Sequence, residues 1–420
     1  MDTISTTTNE LSERISAAAL KLEDKVIAWR RDIHEHPELS YQETRTAALA
    51  AEHLKKLGIE VKTGVGITGV LGILKGGKPG PVVALRADMD ALPVEERVDV
   101  PFKSTAKAQW LGQTVPVMHA CGHDAHVAIL MGVAEVLAGM REEITGTVTF
   151  LFQPNEEGAY DGRPSGAQAM INDGALADPK ASAIFGLHVT SAQASGVIAL
   201  RPGGLMASAD SLKINIHGRQ THGSSPWRGV DPVVTAAQII LALQTIPSRQ
   251  LDATLTPSVL TISTVHGGVR ANIIPDTLEM QGTIRTHDEG VRADIWKRIE
   301  KTATAIADSQ GARAEVKVHE GVPVTYNDPP LTAWGTRSLG RGVGEERVTE
   351  SRPVMGAEDF SFLAQQVPGM FFFLGITPPG EDPREAPANH SPLFHIHEPA
   401  LKYGVRSLAY LAIDYLRRGA

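Results

Sequence analysis

Apolar and polar positions change rhythm twice along this chain. Over residues 22–36 and 42–57 the apolar positions recur at helical spacing, predicting two amphipathic helices stopped at Pro37 and Gly58. Short apolar runs follow at 69–74, 82–85, 148–152 and 183–187 and read as strands. Residues 127–137, after Gly122-His123-Asp124, read as a buried helix. Strand, helix and strand at this spacing predict an α/β fold whose mostly parallel sheet is flanked by helices.

Near residue 207 the texture becomes period-two. Leu212, Ile214 and Ile216 alternate with Lys213, Asn215 and His217, the mark of a half-exposed strand. A helix over 231–245 begins at Asp231-Pro232, an N-cap followed by proline in the first turn. Strands at 259–265 and 277–285, a helix at 289–308 and a strand at 314–318 complete a β-α-β-β-α-β series, the ferredoxin-like arrangement. Apolar runs at 370–374 and 401–416 then return to the first texture. The expectation is a discontinuous α/β domain, residues 1–206 and 319–420, interrupted by an α+β domain at 207–318.

Length supports this division, because 420 residues exceed the roughly 250–300 that one core organises. With 42% apolar and 21% charged residues the composition is that of a globular protein. A formal charge of −8 argues against a nucleic-acid partner. No stretch of about 18 apolar residues escapes interruption by charge, so no transmembrane helix and no membrane partner are expected. The N-terminal segment lacks the basic and apolar regions of a secretory signal, and the expected location is cytoplasmic. Cys121 is the single cysteine. It cannot form a disulfide within the chain, and it needs another explanation.

Three of the predicted strands run into chemistry-bearing residues: Asp88-Met89-Asp90, Glu156-Glu157 and His188. Functional groups of open α/β sheets collect beyond the carboxyl ends of the strands, so these segments should face one crevice. A fourth segment, His119 to His126, puts one thiol, three imidazoles and one carboxylate just before a helix. Three readings fit it. Cys121 is a small buried hydrophobe, or a nucleophile beside histidine, or, with His123, a ligand to zinc or a similar borderline ion. Neighbouring carboxylates at a strand end point in different directions, so one of Glu156 and Glu157 can bind metal while the other faces substrate. A solvated acidic turn is the plain alternative. His390 alone reads as a surface histidine, and His395 and His397 as structural.

Taken together, these motifs resemble the M20 metallopeptidase superfamily, in its amidohydrolase branch of hippurate, N-acyl-amino-acid and auxin-conjugate hydrolases. The likeness runs from Arg30 to the C-terminus through Arg31–Ser40, Ala87–Pro93, His119–His126, Asn155–Gly158, Gly186–Val189, Gly218–Pro232, Gly267–Asp276 and Met355–Phe360. It implies two divalent metal ions, zinc first and manganese, cobalt or nickel next. Their implied ligands are Cys121, His123, Glu157, His188 and His390, with the thiolate as bridge. Glu156 matches the general base and Asp90 a ligand-orienting carboxylate. Asp88 stands where other branches place a ligand histidine.

The resemblance also makes the inserted domain a lid and dimerisation surface, implying a homodimer or higher oligomer. In it, His222 matches a residue that helps bind the scissile carbonyl, while Asn272 and Arg285 match positions that bind the substrate's carboxylate. His34 and His36 belong to the family pattern, and their place on a helix favours structure. The segment 159–165 is longer than the expected glycine-rich link, which points to an altered acyl or amine preference, as does the 377–388 loop. The implied activity is amide hydrolysis of a small molecule, an N-acyl amino acid or similar conjugate. A dipeptidase or carboxypeptidase on the same scaffold is the alternative, and a non-catalytic binding or sensor protein a remote one.

Overall fold

The computed structural model describes residues 2–418, with side chains from residue 10 onward. Its chain divides into two compact units, one up to Gly203 with Asn327–Arg352 and from Phe362 on, the other Gly204–Tyr326 with Pro353–Ser361.

In the first unit the apolar runs become strands of one eight-stranded sheet. Across it lie Glu60–Val65, Gly69–Lys75, Thr145–Gln153, Lys78–Asp88, Ala183–Ala194, Gly369–Thr377, Ile198–Leu200 and Val348–Glu350. The four from Thr145–Gln153 to Gly369–Thr377 run parallel. Antiparallel pairings join the strands on either side, so the sheet is mixed at its margins. Parallel strands covered on both faces need no polar alternation, and Gly369–Thr377 is buried at every position. The helix His123–Ala138 is likewise buried almost all round and packs on Lys78–Asp88 and on the helices Glu23–Glu35 and Leu401–Arg417.

Besides the short helix Gly166–Asn172, two long helices of this unit have no counterpart in the sequence reading. Asp2–Lys21 buries Leu11, Ile15 and Ala19, a stripe only one residue wide in an otherwise polar segment. Pro329–Val343 is capped by Asp328, whose side chain accepts from Leu331 N–H at 2.8 Å, but its glycines weaken the helical signal. Packing explains one of them, since a Cβ on Gly335 would stand 2.4 Å from the Met370 sulfur.

The second unit is built on a four-stranded antiparallel sheet in the order Ser258–Gly267, Thr277–Thr286, Ala209–His217, Arg313–Val322. Helices Pro232–Leu243 and Glu289–Ser309 pack on it through Ala236, Ile239, Leu243, Ile295, Ile299 and Ala303. This is the split β-α-β topology of ferredoxin-like domains. Asp231 caps the first helix by accepting from Val233 and Val234 N–H. Beneath the sheet, buried Asp210 accepts from Arg292 at Nε and Nη2, from Trp296 Nε1 and from Gly321 N–H. Among the described residues no helix is long and apolar enough to cross a membrane.

Candidate metal centre

The carboxyl ends of the parallel strands carry Asp88 and Asp90 and the Asn155–Glu157 turn, while His188 lies midway along Ala183–Ala194, a strand that continues past the end expected at residue 187. Cys121 and His123 arrive at the same place from the start of the His123–Ala138 helix. Between them Gly122 turns the chain with φ +94°, and a Cβ there would meet Val189 Cγ2 at 2.4 Å. Only glycine fits that turn. His390, also in the left-handed region at φ +73°, is held by its N–H donating to the Ala120 carbonyl at 2.8 Å.

Two groups of donors converge and share one sulfur. Cys121, His123 and His188 form the first, and Cys121, Glu157 and His390 the second; within each, all donor atoms lie within 4.8 Å of one another. Cys121 Sγ is 3.3 Å from His188 Nε2 and 3.3 Å from His390 Nε2, and His390 Nε2 is 3.1 Å from Glu157 Oε1. Glu156 lies within the same reach of His123 and Glu157. Tautomers follow from the partners. His188 Nδ1 donates to the Val189 carbonyl at 2.7 Å, leaving the Nε2 lone pair facing the sulfur. His123 Nδ1 donates to Asp90 Oδ1 at 3.2 Å, while its buried Nε2 has no hydrogen-bond partner among the described residues.

The electrostatics favour cations here. Burial opposes a charged His123, yet Asp88, Asp90 and Glu157 raise its pKa to about 10. Burial, together with Glu157, Glu156 and Asp88, pushes the Cys121 thiol well up. A divalent ion would replace those protons, as metal binding to thiolate and imidazole requires. The shared sulfur, the orphaned His123 nitrogen and this negative field fit a pair of divalent ions with a mixed S, N and O donor set.

Around the donors stands a layer of supports. Asp90 accepts from His123 through Oδ1 and, through Oδ2, from Ser40 Oγ at 2.7 Å and Glu157 N–H at 3.0 Å. Asp88 is buried, paired with Arg86 Nη1 at 2.7 Å, and accepts a short hydrogen bond from His126 Nδ1. His126 Nε2 accepts from Val189 N–H at 2.9 Å, so both its nitrogens are engaged and it steadies the chain beside His188. Asp88 Oδ2 is 3.7 Å from His123 Nε2. Asn389 donates to the carbonyls of Cys121 and Val189 at 2.9 and 3.1 Å, tying the His390 loop to both neighbours.

Sequence reasoning assigned no role to His126 or Asn389. Their adjacency to His123 and His390 was the available signal. His34 sits in a buried ion cluster, 2.8 Å from Asp124 and 3.0 Å from Glu96, with Arg30 Nε 2.7 Å from the same Asp124. His36 donates to the Asp32 carbonyl on the surface, and His397 bonds Ser195 Oγ at 2.7 Å.

The remaining candidates belong to the second unit. His222 pairs with Ile273 in a short two-stranded ladder, and Gly223 N–H donates to the Asn272 carbonyl at 2.8 Å, so His222 and Asn272 are local neighbours. Ser224 N–H donates to His222 Nδ1 at 3.0 Å, which leaves Nε2 as the donor nitrogen. Arg285 lies opposite Val259 in the four-stranded sheet.

Comparison with known proteins gives a consistent result. The family model for peptidase family M20/M25/M40 matches residues 84–414. Thermostable carboxypeptidase 2 of Saccharolobus solfataricus is 45% identical over 97% of this chain and 99% of its own length. The IAA-amino acid hydrolase ILR1-like 2 of Arabidopsis thaliana is 38% identical over 94% of this chain and 86% of its own. The Bacillus subtilis YXEP protein, described as a dinuclear metal binding peptidase from the M20 family, superposes with a TM-score of 0.80 at 34% identity, covering 94% of this chain and 99% of that one.

Proposed function

The chain belongs to peptidase family M20 and is a metal-dependent hydrolase, and from that premise we propose that it cleaves the amide joining an acyl group to a terminal amino acid with a free carboxylate. The observation that carries this reading is the pair of donor groups sharing Cys121 with Glu156 alongside.

We assign Cys121, His123, Glu157, His188 and His390 as ligands of two divalent ions. Zinc suits the thiolate and imidazole donors best, with manganese, cobalt or nickel as substitutes. Bound ions supply Lewis acidity, polarising the amide carbonyl and acidifying water to a pKa of roughly 7. Glu156 takes the proton of the attacking water on a carboxylate oxygen and returns it to the leaving nitrogen. Asp90 keeps the His123 ring oriented. His222 donates from Nε2 to the developing oxyanion, and Asn272 and Arg285 hold the substrate carboxylate.

The second unit, Gly204–Tyr326 with Pro353–Ser361 where the sequence suggests 207–318, serves as lid and as the surface of a homodimer. Exposed Val233, Val234 and Leu241 on its first helix and Val259 and Val265 on the edge strand support that role. A buried cysteine needed as thiolate suits a reducing, cytoplasmic setting.

A carboxypeptidase or dipeptidase activity is the second reading, favoured by the 45% identity to the Saccharolobus carboxypeptidase. Both readings place a free carboxylate beside the scissile amide, and they differ in the acyl side. Purified enzyme assayed on N-acetyl and N-benzoyl amino acids, N-blocked peptides and dipeptides, with chelator and metal add-back, tests them. Loss with chelator and recovery with metal on N-acyl amino acids is expected. Chelator-resistant turnover with a trapped acyl-enzyme on Cys121 would refute both readings.

A further inference from the structure

One buried carboxylate near the centre has no part in the roles above. Glu43 is fully buried at the start of the helix Thr44–Lys56. Its Oε1 accepts from Asn155 N–H at 2.8 Å and Tyr41 N–H at 2.9 Å, and its Oε2 from Thr68 Oγ1 at 2.6 Å. Asn155 and Tyr41 are both non-glycine residues in the left-handed region, at φ +49° and +61°. Such conformations are costly for residues with a Cβ and persist only where neighbours enforce them. Here one carboxylate oxygen enforces two.

The strain lies next to the chemistry. Asn155 immediately precedes Glu156, and on the other side Glu157 N–H donates to Asp90, whose same oxygen accepts from Ser40. Two buried carboxylates therefore grip the backbone N–H groups that flank Glu156, and both are tied to the 40–43 turn. The loop beyond is fastened to the same turn: Asn155 Nδ2 and Tyr41 Oη both donate to the Pro164 carbonyl, at 3.1 and 2.8 Å.

We propose that Glu43, held by Thr68 Oγ1, is a positioning residue that aims Glu156 by clamping the backbone of Asn155. The inference rests on the reading of Glu156 as general base. Glu43 needs only an acceptor at Oε1, and glutamine can supply that while its amide nitrogen faces Thr68 Oγ1, a hydroxyl able to accept. Misplacing a catalytic group by about 1 Å costs on the order of 100-fold in rate.

The test measures kcat, KM, metal content and thermal midpoint for intact, metal-loaded Glu43→Ala and Glu43→Gln on the best substrate of the panel above. Glu43→Ala should lose about 10- to 100-fold in kcat, with KM within about 2-fold and both ions retained. Glu43→Gln should return kcat to within about 3-fold of wild type. An unchanged kcat in Glu43→Ala overturns the proposal, as does a parallel loss of KM and metal, or a glutamine variant no better than alanine. Should Glu43→Ala fail to fold, Thr68→Val, which removes the hydroxyl that donates to Glu43 Oε2, decides: a several-fold lower kcat at constant KM and metal content supports the clamp, and wild-type kcat overturns it. Glu156→Ala separates the two levels. If it stays active, the general-base reading fails; if it is inactive while Glu43→Ala is fully active, only the clamp fails.

Discussion

Cys121 Sγ lies 3.3 Å from His188 Nε2, and the other ring nitrogen of His188 is fixed by donating to the Val189 carbonyl at 2.7 Å. The sulfur is equally near His390, so one side chain serves both donor groups. Replacing Cys121 by serine should therefore weaken both ions together, by more than the roughly 10- to 100-fold typical of losing a supporting residue. His390→Ala should weaken one ion selectively. Elemental analysis after gel filtration checks this; a Cys121→Ser protein that retains two ions at wild-type affinity would show that the sulfur is not shared.

Asp90 joins His123, Ser40 and the Glu157 backbone. Asp90→Ala should lower metal affinity by about 10- to 100-fold with an unaltered ligand set. Competition with a chromogenic zinc chelator measures the change.

Asp210 accepts four hydrogen bonds beneath the second unit's sheet, three of them from Arg292 and Trp296. Asp210→Ala leaves the buried Arg292 guanidinium with Glu289, at 3.0 Å, as its nearest carboxylate, and should destabilise that unit by about 3 kcal/mol. Metal content of the folded protein should stay at the wild-type value. Chemical denaturation followed by circular dichroism reads the loss.

Burial, with Asp90 nearby, raises the Glu43 carboxyl to about 7. The folded chain then binds a proton that the unfolded chain has already released, so this group's contribution to stability falls as pH rises from about 4.5 to 7. Glu43→Gln lacks that titration. Its stability relative to wild type should rise across this interval by about 1–3 kcal/mol and level off above it. Denaturation midpoints at several pH values test the sign, and a constant difference would contradict it.

Much of this was legible from periodicity. The parallel strands announced themselves as apolar runs ending in Asp88, Glu156 and His188, because a sheet covered on both faces leaves no polar alternation. The ferredoxin-like unit was legible because its half-exposed strands do alternate. The helix Pro329–Val343 was hidden because Gly335 and Gly342 serve tight packing against Met370 and Tyr410, a tertiary reason invisible to local propensity. At the site, Cys121, His123, Glu157 and His188 stood out by type, whereas His390, a surface histidine by its own sequence context, was reached only through the family resemblance. Supports did not: Glu43, His126 and Asn389 act through backbone N–H and carbonyl groups of distant segments, and no spacing rule encodes such contacts.

The central claim is that Glu156 moves the proton while its neighbours hold the ions. The most direct measurement compares metal stoichiometry and turnover of Glu156→Gln with wild type on the same N-acyl amino acid. The account predicts two ions per chain in both proteins and a kcat lowered by about 100- to 10,000-fold in the variant. Wild-type turnover in Glu156→Gln, with the metals in place, would contradict it.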